Sequence, residues 1–68
     1  MNFNATIEHQ NTLGYGYHVF QEFGSDGEKR GLSMSFKDKR QACHHADIVP
    51  GGHVYNRDGE SVYWTSAE

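Results

Sequence analysis

The stretch YGYHVFQEFGSDGEKRGLSMSF, Tyr15 to Phe36, decides the fold. It holds two strand-like runs, Tyr15 to Phe23, rich in Tyr, Val and Phe, and Leu32 to Phe36, separated by Gly24-Ser25-Asp26-Gly27. Asp-Gly between two such runs predicts an antiparallel hairpin, because glycine accepts the positive φ that tight turns demand. In the second run Leu32, Met34 and Phe36 alternate with Ser33 and Ser35, which gives one apolar and one polar face.

Toward the C-terminus, Ser35-Phe36-Lys37-Asp38 has the spacing of a capping box, and a helix is expected over roughly Lys37 to Asp47. Its stripe of Ala42, Cys43, Ala46 and Val49 is narrow and small, suited to close approach to a sheet. Pro50-Gly51-Gly52 ends it. His53 to Trp64 then reads as a second hairpin about Asp58-Gly59. Toward the N-terminus, Phe3, Ala5 and Ile7 alternate with Asn4, Thr6 and Glu8, so Asn2 to His9 reads as a short first strand, broken by Gln10 to Gly14. The expected fold class is α+β: two layers, an antiparallel sheet of four to five strands with one short helix on one face, forming a single domain over residues 1–68.

A chain of 68 residues buries only about 60% of the surface it exposes when unfolded, so each large apolar side chain matters. Cys43 is the sole cysteine, which rules out an intrachain disulfide. Four Tyr, four Phe and one Trp give the apolar content an aromatic weight of the kind used by sheet cores and contact surfaces. Met1 to Gln10 has no basic cluster before an apolar run, and no apolar stretch is long enough to cross a bilayer. With one free thiol, the expected compartment is the cytoplasm, with no membrane partner. The formal charge of −3 argues against broad binding of a phosphate backbone, which draws its affinity from many basic groups.

One helix can shield only one face of a sheet, and strand alternation assigns the faces. If Leu32, Met34 and Phe36 meet the helix, Val54, Val62, Trp64, Tyr15, Tyr17 and Val19 join them. The opposite face would carry His18, Phe20, Glu22, Ser33, Tyr55 and Tyr63. Of these, His18, Phe20, Glu22, Tyr55 and Tyr63 form the expected partner-binding surface, aromatic rings among polar neighbours. The competing explanation is that these rings only pair across strands, at a few tenths to about 1 kcal/mol each.

Catalytic signals are poor. Cys43-His44-His45 offers ligand types for zinc or copper, with His18 and His53 elsewhere, but a helix presents an ion with ligands at i and i+3 or i+4, and neither His44 nor His45 has a His or Cys at that distance. No metal site, cofactor or catalytic residue is assigned, and the chain is not expected to be an enzyme. Asp26 and Asp58 are explained by turns, Asp38 by a cap, and Glu28 and Glu60 follow hairpin tips. Lys37, Lys39 and Arg40, with Lys29 and Arg30, make a basic region that suits phosphate, an acidic partner surface or plain solvation. Gly14-Tyr15-Gly16 lacks phosphate-loop spacing and reads as flexibility at a strand entry.

The two hairpins flanking one helix, Tyr15 to Phe36, Lys37 to Asp47 and His53 to Trp64, resemble the strand-strand-helix-strand-strand domains of small phage-encoded inhibitors, among them anti-CRISPR proteins and inhibitors of RNA polymerase. The likeness is one of layout over about fifty residues, with no shared motif, so it carries across no functional residue. It implies a stand-alone binding protein that occludes a host protein or nucleoprotein complex. The alternatives are a weak single-stranded nucleic-acid binder, whose rings would stack bases, and a self-associating subunit such as a homodimer.

Overall fold

Phe3, Ile7 and Asn11 stand four residues apart, a spacing that places them on one side of a helix. In the computed structural model, which describes residues 3–23 and 29–65, they lie on α1, Phe3–Thr12. The first strand expected over Asn2 to His9 is therefore a helix. Phe3 and Ile7 satisfy a period of two and a spacing of four alike, and the tertiary contact decides between them. A Schellman arrangement ends α1: Tyr15 N–H donates to the Gln10 carbonyl at 3.3 Å and Gly14 N–H to that of Asn11 at 3.0 Å. Gly14 takes φ +96° there, so this glycine stops a helix and does not merely loosen a strand entry.

Next come β1, Tyr17–Phe23, and β2, Lys29–Phe36, paired antiparallel as expected. The Gly24-Ser25-Asp26-Gly27 turn lies outside the described residues. Helix α2, Lys39–Ile48, starts at Asp38, whose carboxylate accepts from Arg40 N–H at 3.0 Å, and Ser35 takes no part in the cap. It ends at Val49, extended as a residue before proline must be. The second hairpin joins β3, Gly52–Tyr55, to β4, Ser61–Trp64. Asn56 organises its loop, accepting from the N–H groups of Asp58 and Glu60 at 2.9 Å each, with Gly59 at φ +81°. A Cβ on Gly52 would come 2.3 Å from the Ala46 carbonyl oxygen, so only glycine lets β3 pass so close to α2.

The fold is α+β, and its four strands form one antiparallel sheet in the order β2-β1-β3-β4. Helix α2 covers one face, where Val19, Val54, Ala42 and Ala46 are sealed and Tyr17, Phe36, Cys43, Val49, Val62 and Tyr63 pack around them. The other face is not open. Helix α1 lies there, and Ile7, Phe20 and Tyr55 make a second buried cluster with Phe3 and Leu32.

Two bulges redistribute the side chains. Between β1 and β2 the register slips after Val19↔Met34 to Phe20↔Leu32, so Leu32 turns to α1 while Met34 and Phe36 stay with α2. Between β3 and β4, Val54 pairs with Tyr63 but Tyr55 with Ser61. Tyr63 thereby joins the α2 face, and Trp64, expected in the core, is 62% exposed.

A domain of this size holds only about 3–10 kcal/mol of stability, so the α1 contact should be visible in unfolding. Ile7→Ala is expected to lower the unfolding free energy by about 2–5 kcal/mol in urea denaturation, and the exposed Glu8→Ala by less than about 0.5 kcal/mol. Equal, small effects would mean that α1 does not seal the sheet.

Candidate functional site

The five residues expected to dock a partner do not share an open face. His18 is 0% exposed, Phe20 and Tyr55 are buried under α1, and Glu22 is largely covered. Tyr63 lies on the α2 side, where its hydroxyl donates to Asp47 Oδ1 at 2.5 Å. The premise of a single helix fails because the N-terminal segment supplies a second one.

Glu22 is a hub between three strands. It accepts from the Tyr55 hydroxyl, pairs with Arg30 Nε at 3.4 Å, and has His53 Nδ1 at 3.8 Å. The Arg30 guanidinium lies 4.5 Å over the Phe3 ring, which ties α1 to the outer strand of the sheet. Burial, reinforced by the bond to Glu22, pushes the Tyr55 phenol up to about 12. It therefore stays protonated through the neutral range and donates to the carboxylate.

His18 sits in a buried polar line. Its Nε2 is 2.8 Å from Asn11 Oδ1 and its Nδ1 2.9 Å from Ser35 Oγ. Asn11 Nδ2 donates to the Arg57 carbonyl at 2.9 Å, which leaves Oδ1 as the acceptor. His18 must then donate from Nε2 and, when neutral, accept the Ser35 hydroxyl proton at Nδ1. Burial first, then the Arg57 charge, hold its pKa below the usual histidine value. Ser35 and His18 have the reach of a nucleophile and a base, yet both are buried and neither lines the groove described below. Their arrangement is a satisfied core network. Sequence reading missed it because Ser35 has equal claim to a helix cap.

Cys43, His44 and His45 diverge around α2. Cys43 packs against the core, His44 is exposed, and His45 Nε2 lies 2.9 Å from Ser33 Oγ with its ring 5.4 Å from that of Phe36. Among the described residues no three His, Cys, Asp or Glu side chains gather as metal ligands would.

An accessible groove of about 540 Å³ lies between β2 and α2, lined by Met34, Phe36, Arg40, Gln41, His44 and His45, and a more polar one of about 390 Å³ lies beside α1 at Asn4, Glu8 and Arg57. Met34 is 51% exposed on the floor of the first. Ile48, 67% exposed, follows His44 and His45 by one turn and extends the same flank of the helix. The charge around it is uneven. Five of the six Lys and Arg fall between Lys29 and Arg40, against the single acid Asp38, while the other 56 residues hold one Arg and eight acids. Among the described residues the ion pairs are those of Arg30 and His53 with Glu22, and Lys37, Lys39 and Arg40 form none.

Comparison with protein-family models, with curated proteins and with solved structures finds no match. No helix among the described residues is long and apolar enough to cross a membrane.

The His18 network makes stability depend on acidity. A histidine with a lowered folded-state pKa contributes stability that is fully present above the unfolded value of 6.5 and declines as the pH falls below it, because the unfolded chain takes up the proton more readily. The urea midpoint should therefore drop between about pH 7 and pH 5, and His18→Gln should flatten that part of the profile. An unchanged slope in the variant would assign the acid sensitivity elsewhere.

Proposed function

We propose that this protein is a non-catalytic binding module whose contact surface is the groove between β2 and α2, and that its partner is an acidic protein surface. The observation that carries this reading is the groove itself, a half-exposed methionine floor beside cations that have no carboxylate partner among the described residues. Burying Met34 against a partner removes apolar area from water, and the surrounding charge steers the encounter. The β1-β2-α2-β3-β4 core keeps the layout on which the likeness to phage-encoded inhibitors rests. That likeness supports occlusion of a host protein, in an intracellular setting, as the way such a module would act.

Affinity capture from a bacterial lysate tests the reading when wild type is compared with Met34→Glu and Arg40→Glu. Both side chains are on the surface, so the urea midpoints should stay unchanged. The protein recovered with wild type should be lost with each variant, by about tenfold or more in affinity, equivalent to at least about 1.4 kcal/mol. Equal recovery with all three would place the contact surface elsewhere.

A further inference from the structure

The groove runs beside an edge strand, and that position narrows the kind of ligand it fits. We propose that an extended, acidic segment of the partner adds to the outer side of β2 as a fifth strand and seats one apolar side chain in the groove; this rests on the binding role proposed above.

The strand β2 spans eight residues, Lys29–Phe36, or about 26 Å at a typical rise, and no strand among the described residues pairs with its outer side. The opposite edge, β4, has four residues. An edge strand offers main-chain donors and acceptors in a row, the template used in strand addition. A strand added beside β2 would lie about 4.8 Å from it and send every second side chain toward the α2 face. That is where Met34 and Phe36 form the floor and Gln41, His44 and His45 the wall. The incoming apolar side chain replaces water over Met34.

Charge selects the occupant. A second copy pairing β2 antiparallel against β2 would bring Lys29 at one end of the strand up to Lys37 just past its other end, and like charges opposed across strands are destabilising. An acidic segment meets the opposite condition, since Asp38, the one acid in that span, already accepts from Arg40 N–H. A nucleic acid is served less well. Arg30 is committed to Glu22 and Phe3, and the Phe36 ring is half-buried with His45 against it, which leaves the small His44 imidazole as the exposed ring in the groove for a base.

The test pans a random-peptide display library over the immobilised full-length chain and carries the enriched peptides into titrations. Enriched sequences should combine an excess of Asp and Glu with β-branched or aromatic residues. Their affinity should fall by about tenfold or more with Arg40→Glu and with Met34→Glu. N-methylation at every second peptide residue should abolish binding in one register and spare it in the other, because only alternate N–H groups of an added strand face β2.

Several results would overturn the proposal. Peptides that lose affinity with Met34→Glu yet tolerate N-methylation in both registers would leave the groove as a docking site and remove strand addition. Indifference to Met34→Glu would remove the groove as well. A failure to enrich acidic peptides would count against the charge argument and the proposal together. Competition by single-stranded oligodeoxythymidine for the same residues would make nucleic acid the ligand, and a sedimenting mass that grows with protein concentration and is blocked by Arg40→Glu would make it a second copy.

Discussion

Val19 and Phe20 are neighbours on β1 that point to opposite faces of the sheet, and both are sealed from solvent. His18 before them is sealed too, so three consecutive residues of one strand lie in the interior. Burying side chains on both sides of a strand requires cover on both sides of the sheet. Helix α2 supplies it over Val19 and Val54, and α1 over Phe20 and Tyr55. Each such side chain contributes about 1.5–3 kcal/mol of apolar burial, a large share of what a chain this short can hold. The arrangement therefore depends on β1 being central, with β2 and β3 on its flanks.

The polar groups follow from that centrality. A histidine at a buried position of the central strand must have both ring nitrogens satisfied, and Asn11 and Ser35 reach it from α1 and β2. Glu22, near the end of the same strand, gathers Tyr55, Arg30 and His53 around one carboxylate. The two clusters join helix to strand and strand to strand where apolar contact alone is thin. They also explain why His18, Glu22 and Tyr55, which look like a polar docking face in a strand pattern, are structural instead.

Both hairpins and α2 were legible in the sequence, because Asp-Gly turns, a proline-glycine stop and period-two runs are local signals. The layout β1-β2-α2-β3-β4 follows from them. The first helix was not legible. Phe3 and Ile7 fit a strand and a helix equally, and what separates the two is the distant Phe20 and Tyr55 rings they pack against. Strand alternation put Tyr17, Val19, Phe36, Val54 and Val62 on the α2 face and Phe20 and Tyr55 opposite, as the structure does, but it misplaced Leu32, Tyr63 and Trp64. A bulge moves every side chain beyond it to the other side, and neither slip, at Val19/Phe20 or at Val54/Tyr55, leaves a mark in composition or periodicity. The basic stretch from Lys29 to Arg40 was visible from the start, but its position beside an apolar groove needed the helix and strand to be set against each other.

With the middle of the sheet covered on both sides by α1 and α2, the sheet edges are where this protein can meet a partner through its backbone. The two edges differ. At β4 the strand is short and its hairpin carries Asp58 and Glu60, whereas β2 is long and belongs to the cationic stretch. Lys29 and Arg30 stand at one end of β2 and Lys37 just past the other, and positive charge on an edge strand is a common device against pairing with a copy of itself. On the proposed reading the same charge attracts a strand of opposite sign, so that one feature would both deter self-assembly and select a partner. The methionine floor beside it is apolar area that solvation of a charged edge does not require, and the proposed binding role rests on this pairing of a cationic edge with an uncovered apolar groove.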